Sequence, residues 1–278
     1  MLVESAPPLS DRELQAIVRL VYEKSGITLH DGKRALITAR LQKRLRTGGF
    51  PSFGAYLKFV ESDASGQELV TLLDAIATNH TSFFREAQHF AFLKETIVPE
   101  WRAARRPVLE VWSAACSTGE EPYTLVMTLG EVLQTGEMDK LRVFASDLST
   151  KALARARAGV YALDKVEGLP IDVLRKHFEK GLGPQAGTAR IQAPVRKPVT
   201  FEQLNLLEIG DTGRRFDVIF CRNVMIYFDK AVQQRVVSML ERHLLPGGYL
   251  FISHSESLNG ISHGLRWAAP AVYVRRDA

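Results

Sequence analysis

The sequence predicts an α/β protein in which a doubly wound, mostly parallel sheet follows an all-helical N-terminal domain and carries a small inserted antiparallel β subdomain. The first quarter of the chain repeats its apolar residues at helical spacing. Apolar runs that suit buried parallel strands then alternate with helical stretches: VLEVWS, LRVFAS, FDVIFC and GYLFIS. A Gly- and Pro-rich segment, Gly181 to Val199, predicts a hairpin or small antiparallel sheet. We therefore place the helical domain at 1–78, the α/β domain at 79–278 and the insertion at about 160–199.

Capping signals set the boundaries of the first two helices. Ser10 and Glu13 have the spacing of a capping box, and Gly26 is a suitable stop, so the first helix is expected over 10–26. The second helix, over about 33–46, is followed by a pair of glycines. Its apolar residues form one stripe that should face the domain core: Ile37, Leu41 and Leu45.

Two further helices complete the first domain. A third helix follows Ser52, which is a favourable cap. A fourth is expected to begin at a second capping box, formed by Ser65 and Glu68. No strand-like run interrupts these helices, so the domain is predicted to be entirely helical.

Composition limits the kinds of protein that this chain resembles. No run approaches the roughly 18 to 20 apolar residues of a membrane span, and the N-terminus lacks the pattern of a signal peptide, so we expect a cytoplasmic protein with no direct membrane insertion. Cys116 and Cys221 are too few for a disulfide framework, and no metal-ligand spacing is present; His243 and His254 are interpreted as structural or surface residues. The net charge of +5 favours acidic partners but is too small to indicate nucleic-acid binding.

A loop of small residues follows the first predicted strand of the α/β domain. In an open parallel sheet, ligands bind at the carboxyl ends of the strands, and small residues let a ligand approach the backbone. Gly119 is the lone glycine of this loop, and Glu120 and Glu121 would repel a phosphate at the start of the next helix. The loop therefore favours a nucleoside that carries a cationic group over a phosphorylated ligand.

An acidic residue, Asp147, follows the second predicted strand. At this position a carboxylate commonly accepts hydrogen bonds from both ribose hydroxyls; an ordinary helix cap is the alternative, at about even odds for this residue alone. The small loop, the acid and the lack of a phosphate cradle together resemble the class I methyltransferases, which use S-adenosylmethionine and release S-adenosylhomocysteine. The run LLPGGYLFIS is similar to the turn and fifth strand of that fold.

Several longer motifs match one family in order along nearly the whole chain. They are NHTSFFRE, CSTGEEPY, NLLE, FCRNVMIYFD and HSESL, and they resemble the chemotaxis receptor methyltransferases called CheR. The resemblance implies transfer of a methyl group from S-adenosylmethionine to glutamate side chains of chemoreceptor cytoplasmic domains, giving γ-methyl esters during adaptation. It also implies recruitment to membrane-associated receptor arrays, with no nucleic-acid partner.

The resemblance assigns roles to individual residues. The family's cofactor contacts fall on Asn79, Thr81, Arg85, Glu120, Asp147, Asn205, Leu206, Arg222 and Asn223. Arg85 and Tyr227 are the candidates to hold the substrate carboxylate as catalytic residues. From the residues alone, Glu120 is equally a first-turn acid, Asn205 a turn residue and Tyr227 part of a buried run.

The reaction needs alignment more than proton transfer. A glutamate carboxylate is already an anion at neutral pH and a sulfonium already carries a good leaving group, so neither a general base nor a metal is required. Positioning of the reacting atoms supplies roughly 7–11 kcal/mol in the best cases. The sequence therefore predicts no metal site.

Two surfaces are expected to contact the receptor. Lys33, Arg40 and Arg44 lie on one stripe of the second helix, and the family's acidic methylation helices would dock there; a solvated charged face is the ordinary alternative. In the insertion, an edge strand over 189–192 would pair with a C-terminal receptor peptide, and Arg190 would hold an acidic group of that peptide. This tether is found in only some family members.

Two other functions remain open from the sequence. One is an S-adenosylmethionine-dependent methyltransferase that acts on RNA or another substrate through a basic helical domain. The other is a catalytically silent copy that only binds the cofactor. The amino-group motif of base methyltransferases, an Asn or Asp followed by Pro-Pro and an aromatic residue, is replaced here by CRNVMIYF.

Overall fold

The N-terminal domain consists of four helices. In the computed structural model, which describes residues 8–29, 31–77, 79–210 and 212–276, they are α1 (Asp11–Ser25), α2 (Arg34–Gly48), α3 (Phe53–Ser62) and α4 (Gln67–Ile76). The stripe predicted for α2 is buried in the domain core: Ile37, Leu41 and Leu45. The helical character expected of this part of the chain is therefore confirmed.

Most of the predicted caps are observed. Ser10 and Glu13 form a reciprocal capping box on α1, and Gly26 ends that helix with a φ of 71°, a left-handed value that favours glycine. The Ser52 hydroxyl accepts the first-turn N–H of Ala55 in α3.

The prediction that Ser65 and Glu68 form a second capping box is wrong. Helix α4 begins after Gly66, and Asp63 Oδ2 accepts the N–H of Glu68 at 2.8 Å. The Glu68 side chain turns inward and forms two hydrogen bonds with Arg44. Asp63 is the better acceptor because it is ionised, whereas Ser65 forms a hydrogen bond to Asp63 itself.

A seven-stranded sheet forms the centre of the second domain. The strands of this domain are β1 (Leu109–Ala114), β2 (Leu141–Asp147), β3 (Val160–Ala162), β4 (Phe178–Lys180), β5 (Thr188–Ile191), β6 (Val199–Gln203), β7 (Phe216–Phe220), β8 (Leu244–Phe251), β9 (Leu265–Ala269) and β10 (Val272–Arg275). The large sheet has the order β6-β2-β1-β7-β8-β10-β9. Strands β6, β2, β1, β7 and β8 are parallel, and β10 is antiparallel to both of its neighbours.

Helices pack on both faces of this sheet. They are α5 (Ala87–Phe92), α6 (Val98–Ala103), α7 (Glu120–Leu129), α8 (Thr135–Met138), α9 (Thr150–Ala158), α10 (Ile171–His177), α11 (Ala193–Arg196) and α12 (Lys230–His243). A π-helical turn, Leu93–Ile97, joins α5 to α6. Separate apolar clusters cover the two faces, one around Leu93, Val111 and Phe251 and the other around Trp112, Ile219 and Leu240. The doubly wound sheet expected from the sequence is confirmed.

The insertion is a three-stranded antiparallel sheet. Its order is β3-β5-β4, so β5 lies in the centre. Arg190 pairs with Val160 on one side and Glu179 on the other. The prediction that 189–192 forms a free edge is therefore wrong. The sequence around the glycines suggested a local hairpin, but the third strand comes from residues 160–162, which lie far back along the chain.

Backbone contacts fix the helical domain against the carboxyl edge of the large sheet. Thr28 donates its N–H to the carbonyl of Tyr227 at 2.8 Å, and Ile27 forms an antiparallel bridge with Phe228. The Tyr22 hydroxyl donates to Asp229 at 2.7 Å. These contacts place helix α2 opposite the ends of the parallel strands and create a cleft between the domains. None of the described helices is long and apolar enough to cross a membrane.

Candidate functional site

The candidate site is the cleft between the helical domain and the carboxyl ends of β1, β2 and β7. It encloses about 1340 Å³, including space open to solvent. Most of the residues singled out in the sequence line it: Lys33, Arg40, Asn79, Thr81, Arg85, Asp147, Asn205, Leu206, Arg222, Asn223 and Tyr227. Glu120, Arg44 and Arg190 do not. Strands β1 and β7 are neighbours in the sheet, and the strand order reverses between them, which is where open α/β sheets bind ligands.

The loop after β1 lines the cleft in an unusual backbone conformation. Ala115 and Ser117 have φ values of 68° and 51°, and Gly119 has a φ of 96°. A side chain at Gly119 would also lie 2.8 Å from Ala156 Cβ. Left-handed non-glycine residues are costly and concentrate at functional sites. The small residues were visible in the sequence, but no sequence signal identifies Ala115 as left-handed.

Asp147 ends β2 inside the cleft and is almost completely buried. Its Oδ2 accepts the N–H of Ser117 at 2.7 Å and its Oδ1 accepts the N–H of Ser149 at 2.8 Å. Burial raises the pKa of this carboxyl group despite these two hydrogen bonds. Ser149, rather than Asp147, caps helix α9, so the alternative of an ordinary cap does not describe Asp147.

The surroundings of Asp147 fit a bound nucleoside. A carboxylate has about four acceptor positions, and the backbone uses one on each oxygen, which leaves acceptors for ribose hydroxyls. The hydroxyl of Ser117, which also lines the cleft, is buried and has no hydrogen-bond partner among the described residues. Leu206 adds a buried apolar surface to the same wall. The residues that are present therefore suit S-adenosylmethionine.

Glu121 lines the cleft and Glu120 lies next to it, and the role of Glu120 as a cofactor contact stays a prediction. Glu120 is buried, and it accepts a hydrogen bond from the Thr118 hydroxyl at 2.6 Å. Neighbouring residues of a helix point about 100° apart, so only one of the two can face the cleft. The sequence offered no means of choosing between them.

Arg222 is the centre of a buried ionic cluster. Its guanidinium lies 3.1 Å from Glu121 Oε2 and 3.2 Å from Glu86 Oε2, and it also donates to the carbonyl of Arg85. Burial raises the pKa of Glu121. Burial also acts to raise the pKa of Glu86, but the Ser253 hydroxyl and Arg222 together hold it below its usual value. Arg222 therefore links the loop after β7 to α7 and to the segment that bears Arg85.

Arg85 projects into the cleft from a strained turn. Phe84 and Glu86 on either side have φ values of 53° and 60°. The turn is held by the N–H of Phe84, which donates to Thr124 Oγ1, and by the carboxylate of Glu86. The Arg85 guanidinium donates to the carbonyl of His80 at 3.2 Å. This geometry places Arg85 at the mouth between the domains, as the sequence predicted.

The loop after β7 carries Asn223 and Tyr227 and is fixed by Glu256. Glu256 accepts the N–H groups of Asn223, Ile226 and Ser253. Asn223 has a φ of 58°, and its amide donates to Ser253 Oγ. Tyr227 is half-buried on the cleft wall rather than in the core. Sequence reasoning missed Glu256 as a functional residue, although the motif HSESL contains it.

Two other predicted cofactor contacts, Asn79 and Asn205, also line the cleft. Asn79 donates weakly to Ser149 Oγ at 3.5 Å. Asn205 donates its amide to the carbonyl of Lys24, and its Oδ1 accepts the N–H of Leu207, which makes it a turn residue and a domain contact. One N–H and one acceptor position of the amide remain for a ligand, and the role of Asn205 as a cofactor contact stays a prediction.

The assumption of a free charged stripe on α2 is wrong. Arg40 donates to the carbonyls of Ile76 and Ala77, and Arg44 forms a bidentate pair with the buried Glu68. The Lys33 ammonium lies 5.4 Å from the centre of the Tyr227 ring. The stripe therefore stabilises its own domain and borders the cleft. Its role in receptor docking stays a prediction.

The sheet order, the small-residue loop and the buried acid after β2 define a class I S-adenosylmethionine-dependent methyltransferase. Residues 79–272 match the family model described as "CheR methyltransferase, SAM binding domain", and residues 12–77 match "CheR methyltransferase, all-alpha domain". The chain belongs to the CheR methyltransferase family.

Curated relatives match over almost their whole length. The chain is 39% identical to a chemotaxis protein methyltransferase of Salmonella typhimurium, over 96% of this chain and 91% of the relative. It is 40% identical to the Escherichia coli protein of the same description, with 96% and 91% covered. Chemotaxis protein methyltransferase 2 of Pseudomonas aeruginosa is 39% identical, with 94% and 92% covered.

Proposed function

We propose that the protein methylates glutamate side chains of chemoreceptor cytoplasmic domains and produces γ-methyl esters. The support is the family, the names of the curated relatives and the charge of the cleft. Lys33, Arg40 and Arg85 bring cationic groups to a cleft whose opposite wall holds Asp147. The observation that carries the proposal is this placement of cations from both domains at the mouth, because an anionic carboxylate substrate would be attracted there.

The protein's contribution to the reaction is binding and alignment. S-adenosylmethionine supplies a methyl group on a positively charged sulfur. Asp147 and Leu206 hold the nucleoside, and the loop from Ala115 to Ser117 lets it approach the backbone. Arg85 and Tyr227 orient the substrate carboxylate without protonating it, so that its oxygen remains a nucleophile. Helix α2 covers the cleft and excludes water from the reacting atoms.

Incubation with radiolabelled cofactor tests this function. We would supply receptor-containing membranes from the host in one reaction and total RNA in another. Base-labile label on a membrane protein supports glutamate methyl esters, since esters hydrolyse in base. Label on RNA would contradict the proposal, and cofactor binding without transfer to either substrate would indicate a silent copy.

The hydroxyl of Tyr227 is expected to contribute to turnover. Tyr227→Phe removes one hydrogen bond to the carboxylate, worth about 1 kcal/mol, and should lower kcat about fivefold while cofactor affinity is unchanged. Tyr22→Phe is the matched control, because it removes the hydrogen bond to Asp229 at the domain contact. An unchanged kcat in Tyr227→Phe would leave this tyrosine with a packing role only.

Lys33 provides a cleaner test of receptor docking than the arginines that form internal bonds. Lys33→Glu should lower methylation of intact receptor about tenfold at low salt, because an acidic partner helix would then be repelled, and the difference should shrink as salt is added. The control is Lys43→Glu at an exposed position of helix α2, which follows the 3₁₀ turn that ends at Lys33. Equal effects of the two substitutions at all salt concentrations would contradict a docking role for Lys33.

The peptide tether is retained as a proposal with a different strand pairing. The free edges of the small sheet are β3 and β4, and Arg190 is exposed in the strand between them. A receptor C-terminal peptide that adds to one edge would reach Arg190 across a single strand. We expect micromolar binding of a host receptor peptide in calorimetry, and at least a tenfold loss in Arg190→Ala. If no host receptor peptide binds, the insertion is a structural element.

A further inference from the structure

A cluster of three side chains beside the cleft has the composition of a metal site. Glu86, His89 and His254 each direct one ligand atom into the same region, and these atoms all lie within 4.8 Å of one another. Glu86 and His89 come from the start of α5, and His254 follows β8. The cluster lies on the side of the Arg85 turn that faces the sheet, where Phe220 and Phe251 contact the His89 ring.

His89 is buried in a state that suits a metal ligand. It is 1% exposed, and among the described residues neither ring nitrogen forms a hydrogen bond of normal geometry, although the backbone of Pro270 lies near the ring. Its Nδ1 faces Glu86 Oε2 at 3.4 Å, and its ring lies perpendicular to that of His254 at a centroid distance of 4.7 Å. A buried polar group without a partner costs about 1–3 kcal/mol.

The local charge also favours a cation. Two carboxylates, Glu86 and Glu121, converge on the single guanidinium of Arg222. A third carboxylate, Glu256, is adjacent, because it accepts the N–H of Ser253 while Glu86 accepts the hydroxyl of the same residue. Arg222 is thus shared between Glu86 and Glu121, and a divalent ion bound to Glu86 would stabilise the negative charge of that carboxylate.

We propose that Glu86, His89 and His254 bind a divalent transition-metal ion of the zinc type, with water as a fourth ligand. Imidazole nitrogen and carboxylate oxygen are ordinary zinc ligands at about 2.0–2.2 Å, which sets tetrahedral ligand atoms roughly 3.3 Å apart. The ligand atoms, which lie within 4.8 Å of one another, must therefore approach by up to about 1.5 Å. His254 is exposed, so the approach would be made by its side chain. Ser253 and Arg222 already form hydrogen bonds or ion pairs with Glu86, as outer partners of a ligating carboxylate do.

The bound ion would connect the start of α5 to the end of β8. Glu86 is the residue that follows Arg85 in the strained turn, so the ion would restrain the backbone that carries Arg85. This inference differs from the sequence prediction of no metal site, which rested on the spacing of cysteines and histidines and on a reaction that needs no metal. It is also independent of which substrate is methylated.

The test is a metal titration of the full chain after treatment with a chelator. Cobalt(II) should bind with one ion per chain and give the visible absorption of a four- or five-coordinate site, and zinc should displace it. His254→Ala should weaken the binding of both ions at least tenfold, which corresponds to about 1.4 kcal/mol. Zinc should raise the Tm of the parent but not that of His254→Ala. His263→Ala is the matched control, because His263 lies outside the cluster and packs against Tyr273.

Two results would overturn the proposal. One is the lack of stoichiometric cobalt binding by the parent chain. The other is equal affinity in the parent and His254→Ala, which would assign the bound ion to other surface groups. Far-ultraviolet circular dichroism of His254→Ala keeps the comparison interpretable, and because this side chain is exposed we expect its fold to be unchanged.

Discussion

Replacing Arg222 by methionine is expected to lower the free energy of unfolding by about 3–5 kcal/mol. The side chain of Arg222 is only 2% exposed, and its removal leaves Glu86 and Glu121 in the interior without a counter-charge. Methionine fills much of the same volume. The loss of stability is therefore caused by the uncompensated carboxylates and not by a cavity. Urea denaturation followed by circular dichroism measures the difference.

The loss of stability in Arg222→Met should depend on pH. Without the guanidinium, the folded-state pKa of each carboxyl group rises above its unfolded value, so the folded chain binds protons that the unfolded chain releases. Stability is therefore retained below the unfolded pKa and is lost as the pH rises through the folded pKa, and the deficit should be larger at about pH 8 than at about pH 5.

Arg19→Met is the matched control for this experiment. It removes one partner of an exposed pair with Glu23, whose N–O distance is 4.0 Å, and should change stability by less than about 0.5 kcal/mol. A loss in Arg222→Met no greater than that in Arg19→Met would show that the buried carboxylates find other compensation.

Asp147→Ala is expected to weaken cofactor binding at least tenfold, or about 1.4 kcal/mol. Two contributions act in the same direction. The substitution removes the acceptors proposed for the ribose hydroxyls, and it also removes the partners of the Ser117 and Ser149 N–H groups that shape the loop after β1. Calorimetric titration with S-adenosylhomocysteine measures the change without turnover.

Two companion variants separate these contributions from general destabilisation. Asp147→Asn keeps the shape of the side chain and one acceptor oxygen, so its loss of cofactor affinity should be intermediate. Ser52→Ala removes a helix cap in the other domain, which costs about 1 kcal/mol of stability, and should leave cofactor affinity unchanged. Unchanged affinity in Asp147→Ala would show that neither the proposed ribose contacts nor the hydrogen bonds to the loop contribute to cofactor binding.

The fold was largely predictable because its signals are local. Capping residues such as Ser10 and Ser52 satisfy N–H groups within one turn, and the apolar stripe of α2 repeats within a single helix. The buried strands are short continuous apolar runs. Such features depend on neighbours along the chain, so they can be read before the chain is folded.

Local signals were insufficient where two candidates compete at short range. At α4, the sequence contained two acceptors for the first turn, and Asp63 rather than Ser65 accepts the N–H of Glu68. At the start of α7, two adjacent acids were present, and the orientation of the helix decided that Glu121 faces the cleft. A shift of one residue changes the direction of a helical side chain by about 100°, which local pattern does not determine.

The sequence by itself determined the domain order, the parallel sheet, the small-residue loop and the acid after β2, since each is encoded by contiguous residues. Only the tertiary structure decided which charges meet. In the folded chain Arg222 forms ion pairs with Glu86 and Glu121, and Arg44 forms one with Glu68. Strand β5 lies between β3 and β4. Glu86, His89 and His254 lie close together. These groups are distant along the chain, and their partners are set by how helices and strands pack, so no pattern of spacing could have identified them.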